Sequence, residues 1–253
     1  DSIYKETYKE WNNLLSRIKV EGGSEDDKII FYTALYHTLI HPNTLNDFNG
    51  EYPEINTGKI GKTEDTRYTV FSLWDTYRNL HQLMSLVYPQ QQSDMIKSML
   101  DMYDENGWLP KWELNSTETF TMVGDPASIV ITDTYLKGIQ DFDITKAYTA
   151  MLKSADQIEN NPLRPELEDY IEKGYVTTNN VGSVSKTEEY NVADYSIALL
   201  AKELGKKEDF ERFKKRSISY RKLFDKNINL LRPKNSNESW YEPFNPEAGA
   251  NFT

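Results

Sequence analysis

Apolar side chains recur at three- and four-residue spacing through almost the whole chain, in segments that glycine and proline divide into pairs, which confines it to helical architectures. Tyr4, Tyr8, Trp11, Leu14, Leu15 and Ile18 predict a first helix over Asp1 to Val20, stopped by Gly22 and Gly23. Ser24, with Asp27 three residues on, has the form of a capping box for a second helix that ends before Pro42. The same spacing predicts helices over Val70 to Tyr88, closed by Pro89, and over Ser93 to Tyr103. Pro126 to Lys137 follows, with Asp125 at its N-cap and Gly138 past its end, then Ile144 to Ile158 capped by Asp143. A short helix at Pro165 to Lys173 precedes a last hairpin, Ser185 to Leu204 and Lys207 to Phe224, broken at Gly205. The period-two alternation of a sheet is almost absent.

Hairpins of unequal length, joined by long loops rich in aromatic residues, fit a toroid whose inner helices surround an axis while outer helices cover them. A solenoid would need a fixed repeat period, and the sequence has none. With no flexible linker in its middle, the chain reads as a single domain over residues 1–253.

Charge and composition remove several function classes. The formal charge of −11, with no basic stripe to neutralise phosphates, excludes nucleic acid as an expected partner. The absence of cysteine removes disulfides, thiolate metal sites and cysteine nucleophiles, and fits a periplasmic or secreted protein. No apolar run has the length of a membrane span and no signal peptide heads the chain, so a soluble protein is expected. His37 and His41 stand four apart, but no Glu lies between them in the metalloprotease arrangement and Pro42 ends the helix there. The DFNGEY segment, whose Asp47, Asn49 and Glu51 alternate, is too short for an EF-hand loop and reads as a turn or small hairpin about Asn49-Gly50.

Chemistry concentrates between Tyr68 and Gly138. This stretch sets two loop-flanked indoles, Trp74 and Trp112, beside Asp75, Arg78, Glu113 and Asp125. A monosaccharide presents an apolar C–H face and a rim of hydroxyls that donate and accept. An indole stacks on the face, carboxylates accept from hydroxyls and an Arg donates back, so the mixture suits a sugar pocket. Trp112 and Glu113 are expected to face the cavity while Trp108 and Leu109 pack down. Arg78, one helical step from Asp75, is placed to pair with it, and Glu189 and Asp194 are expected to tie helices together.

Four segments carry a resemblance: FSLWDTYRNLHQLMSLVYP, GWLPKWEL, MVGDPASIVITDTYLKG and SVSKTEEYNVADYSIALLAKELG. In order, they resemble motifs of glycoside hydrolase family 92, the calcium-dependent exo-acting α-mannosidases. The resemblance implies an all-α fold, an incomplete (α/α)6 toroid in which this chain is the N-terminal portion of the catalytic barrel. It also implies hydrolysis of terminal α-linked mannose with inversion at the anomeric carbon. Trp74 and Asp75 match the family's Trp-Asp motif, whose carboxylate takes sugar hydroxyls, and Trp112 matches an aromatic that walls the pocket. Arg78 and Asp125 complete the candidate substrate-binding set; the Asp-Pro at 125–126 departs from the family pattern.

The resemblance also implies parts not matched here: a β-sandwich before the barrel, and later barrel segments bearing the acid, the base and the main calcium motif. The acid follows the kind of sequence seen in FNPEAGANFT. No catalytic residue and no metal ligand is therefore assigned within residues 1–253, and this chain alone is expected to be inactive, with an apolar face exposed. Two other readings fit the same residues. One is a non-catalytic helical glycan-binding protein with Trp74, Trp112 and Asp75 as its platform; the other is a six-hairpin glycosidase acting on α-glucosides.

Overall fold

A computed structural model describes residues 2–247. Asp1, where the first helix was expected to start, and residues 248–253, the end of the FNPEAGANFT segment, lie outside them. The described residues form ten α-helices: α1 (Ser2–Leu15), α2 (Glu25–Thr38), α3 (Leu73–Thr76), α4 (Leu80–Val87), α5 (Pro89–Asn106), α6 (Pro126–Leu136), α7 (Ile144–Asp156), α8 (Leu167–Lys173), α9 (Ser183–Glu203) and α10 (Lys207–Arg216). A 3-10 turn at Ser219–Leu223 follows. Strands are confined to two-stranded antiparallel ladders: β1 (Asn43–Thr44) with β4 (Tyr68–Thr69), β2 (Glu51–Pro53) with β3 (Ile60–Lys62), β5 (Glu113–Leu114) with β6 (Thr117–Glu118), and β7 (Phe224–Asp225) with β8 (Leu230–Leu231). The fold is all-α, and the ladders serve as loop clasps.

The capping box is present, with Ser24 Oγ accepting from Asp27 N and the Asp27 carboxylate accepting from Ser24 N at 2.8 Å. Asp143 caps α7 by accepting from Lys146 N at 2.9 Å. The buried stripe Met95, Ile96, Met99, Leu100 and Met102 turns α5 into the core. There α6 packs on α9 through small side chains, Ala127 and Val130 facing the layer that holds Ala193, Ile197, Ala198 and Ala201, and α9 packs on α10 around Phe213. His81 is buried between α3 and α5, its Nδ1 3.0 Å from Gln92 Oε1 and its Nε2 3.1 Å from Thr76 Oγ1. Burial holds its pKa down at about 4, so it stays neutral.

Three expectations are corrected. The helix read over Val70 to Tyr88 starts only at Leu73, after the left-handed Val70 and Ser72 (φ 57° and 45°), and is two helices parted at the non-helical Asn79 (φ −156°), where Gln82 Nε2 donates to the Tyr77 carbonyl. The next helix starts at Pro89 rather than Ser93, so the proline that follows the end of α4 also opens α5 at its first turn. The turn expected about Asn49-Gly50 is present, Gly50 N donating to Asp47 O at 2.9 Å, and a separate hairpin pairs Glu51–Pro53 with Ile60–Lys62. The first and last helices stop at Leu15 and Arg216, short of Val20 and Phe224.

No helix among the described residues is long and apolar enough to cross a membrane.

Candidate functional site

Two chain segments meet where the sequence places its two indoles. Leu73 N donates to the Lys111 carbonyl at 3.0 Å, and Phe71 N donates to Glu113 Oε1 at 2.8 Å, so residues 71–75 run alongside residues 111–113. This tie brings Trp74-Asp75 and Trp112 together. Both indoles are half-buried, and both ring N–H groups are enclosed without a hydrogen-bond partner among the described residues. What they offer a ligand is ring surface.

Asp75 is exposed at the start of α3, where its carboxylate accepts from Ser72 Oγ at 2.6 Å. The pairing of Arg78 with Asp75 does not occur. Arg78 turns the other way, donating to Glu189 Oε1 at 2.8 Å, because Glu189 on α9 also accepts from Tyr77 Oη at 2.8 Å and so gathers both neighbours. The guanidinium is thereby held 4.8 Å over the Trp74 ring and 4.7 Å over that of Tyr77. Glu189 ties α9 to the turn after α3, as expected, and Gly124 closes in behind it: a Cβ at position 124 would come within 2.9 Å of Glu189 Cβ.

Beneath this surface lies a layer of buried charge. Glu118 folds its own loop, accepting from the amides of Lys111 (2.8 Å), Trp112 (3.0 Å) and Phe120 (2.7 Å). Lys111 is buried and donates to the carbonyls of Leu163 (3.0 Å) and Met122 (3.3 Å). Burial pulls its pKa down to about 8 against the opposing pull of Asp125 and Glu118. Glu113 does not face a cavity: it is 1% exposed, and burial pushes its pKa up to about 7 although backbone N–H groups favour the carboxylate.

Asp125 stands apart from the exposed set. Its side chain is fully enclosed, forming an ion pair with Arg164 at 2.9 Å and accepting from Ser128 Oγ at 2.9 Å. Arg164 in turn donates to Asp194 Oδ1 at 2.7 Å, and Asp194 also takes Arg216 and Tyr170 Oη. Asp194 therefore ties α8, α9 and α10 together. Burial alone would raise its pKa, but Arg164 and Arg216 outweigh that and hold it below the usual carboxylate range. The sequence reading passed over Arg164, whose only signal is a charged residue between Pro162 and Pro165.

Along its full length, residues 1–253, the chain matches the family model of the glycosyl hydrolase family 92 catalytic domain. The chain belongs to glycosyl hydrolase family 92. A family 92 α-mannosidase from Bacteroides thetaiotaomicron, also solved in complex with mannoimidazole, superposes with a TM-score of 0.89 at 38% identity, covering 96% of this chain and 32% of that one. An inverting family 92 mannosidase from the same species superposes with a TM-score of 0.92 at 29% identity, over 98% of this chain and 35% of that one. An uncharacterized secreted glycosidase of Arthroderma benhamiae is 27% identical over 232 residues, which is 85% of this chain and 25% of the relative. The chain thus spans about a third or less of its relatives' length.

Family 92 membership accounts for the helical hairpins as part of an (α/α)6 toroid. Among the described residues no three His, Cys, Asp or Glu side chains gather as a metal site would need. The described residues therefore assemble no carboxylate cluster to hold calcium, and no step is routed through a cation.

Proposed function

We propose that this chain contributes part of the terminal-sugar subsite of a glycosidase that releases terminal α-linked mannose with inversion. One observation carries the reading: the 3.0 Å hydrogen bond from Leu73 N to Lys111 O, which ties the backbone leading into Trp74 and the exposed Asp75 to the backbone leading into Trp112 in a family 92 domain. The solved relatives support mannose as the sugar, since their names describe mannosidases and one is solved in complex with mannoimidazole.

In this reading Trp112 stacks on the apolar sugar face and Asp75 accepts from its hydroxyls. Arg78 covers one side of Trp74, leaving the opposite side and the ring edge for contact. Asp125 supports the floor through Arg164. Inversion needs an acid and a water-activating base on opposite faces of the ring, about 6.5–9.5 Å apart, and neither role is assigned to a residue of this chain. Calcium dependence follows the family resemblance and would need ligands other than the residues described. A single domain over residues 1–253 and a periplasmic or secreted location complete the proposal; the fungal relative's name describes it as secreted.

The test is mannose release from a panel of α-linked mannobioses by the full-length gene product, with Asp75→Ala and a calcium chelator as comparisons. Activity that falls with both supports the proposal. A gene product that binds glycans without cleaving any mannobiose would instead favour the glycan-binding reading.

A further inference from the structure

The backbone leading into Trp74 is in a conformation its own residues oppose. Val70 and Ser72 have φ of 57° and 45°. The left-handed region is costly for any residue with a Cβ and worst for a β-branched one, so such a stretch persists only where the surroundings over-determine it. The chain supplies those surroundings amide by amide. Tyr68 N donates to Ser98 Oγ at 2.9 Å, Thr69 pairs with Asn43 in the β1–β4 ladder, and Leu73 N donates to Lys111 O. Between them, Phe71 N is taken by the Glu113 carboxylate at 2.8 Å, the one side-chain acceptor lying between the two left-handed residues.

Glu113 is placed at a cost. Its other oxygen, Oε2, is buried with no partner among the described residues, and the like charge of Glu118 acts on it. A buried carboxylate that uses one oxygen and strands the other is poor as a packing element. It makes sense as a holder of Phe71 N–H.

We infer that Glu113 is a positioning residue: its Oε1, accepting from Phe71 N, locks the left-handed Val70–Ser72 backbone and so sets the location of Trp74 and Asp75. The link to sugar binding rests on the mannosidase reading; the link to backbone conformation does not.

Three variants of the full-length gene product test this, each measured by amide hydrogen exchange over residues 68–76 and by kinetics on an aryl α-mannoside. Glu113→Gln keeps a carbonyl acceptor, and its exchange and KM stay within about threefold of the wild type. Glu113→Leu removes the acceptor: exchange over 68–76 quickens about tenfold or more, and KM rises by a similar factor with a smaller effect on kcat. Val70→Gly combined with Glu113→Leu restores much of both, because glycine adopts positive φ without a clamp. A role in packing alone would not be rescued at position 70.

The inference is overturned if Glu113→Leu leaves exchange over 68–76 unchanged, if Gln fails as badly as Leu, or if Val70→Gly gives no rescue. Should Glu113→Leu fail to fold, the Gln variant and the double variant still decide. If the wild type hydrolyses no α-mannoside, the mannosidase reading falls while the exchange arms still judge the clamp.

Discussion

The guanidinium of Arg78 lies 4.8 Å over the indole of Trp74. Glu189 holds it there from a different helix, so one face of the ring is covered by a cation whose position depends on α9. The covered face is closed to a sugar. The ring's orientation is correspondingly fixed.

Removing that hold should loosen the ring without touching proton transfer. Glu189→Ala and Arg78→Ala are each expected to raise KM for α-mannosides about three- to tenfold while kcat changes less. The two together should cost little more than either alone, since both break one unit. Steady-state kinetics on the single and double variants check this, and fully additive losses would show that the residues act separately.

Trp112 should matter more than Trp74, because no cation in the described residues stacks on it. Trp112→Ala is expected to lower kcat/KM by about 10- to 100-fold, and Trp112→Phe by less, since a six-membered ring retains part of the stacking. Competition by mannoimidazole gives an independent readout of binding. Equal affinity of wild type and Trp112→Ala for that inhibitor would remove Trp112 from the sugar wall.

Arg164 is the buried cation between Asp125 and Asp194, and its removal strands Asp125, whereas Asp194 keeps Arg216 and Tyr170. Arg164→Met should destabilise the protein by about 3–5 kcal/mol, whereas Arg164→Met with Asp125→Asn should recover part of that loss. Denaturant titration of the two variants measures the difference. A single variant within about 1 kcal/mol of wild type would mean the network contributes little.

Glu113 carries a pH signature. Its folded pKa is raised to about 7 from an ordinary 4.5, so its contribution to stability is fully present below pH 4.5 and is lost as pH rises through about 7. Glu113→Gln escapes that loss. The Gln variant should match wild type at low pH and exceed it by about 1–3 kcal/mol above pH 8. Melting temperature against pH tests this, and a pH-independent gap would place the Glu113 titration at its ordinary value.

The helical hairpins were legible because their cues are local. Ser24 with Asp27, Asp143 before Ile144 and the α5 methionine stripe each speak through neighbours a few residues away. Trp74, Asp75 and Trp112 were grouped by residue type and by motif order, and the Leu73–Lys111 hydrogen bond is what ties their backbones together in space. The misreadings share one cause. Arg78 pairs with Glu189 rather than Asp75, and Arg164 joins Asp125 from 39 residues away, both decided by partners distant in sequence. Glu113 looked like a pocket residue because charge beside a Trp suggests ligand contact. Its hydrogen bond to an amide 42 residues earlier is invisible to any local pattern.

The way Glu118 gathers the amides of Lys111, Trp112 and Phe120 has a consequence for re-engineering. The loop's contour is written mainly from inside, by one carboxylate reading backbone, with Thr119 Oγ1 adding a bond to the Trp112 carbonyl and Asn115 taking a left-handed turn position. Positions 112 and 114 can be randomised to seek new sugar preferences while 111, 113, 115, 118 and 119 are left untouched, and most members of such a library should still fold.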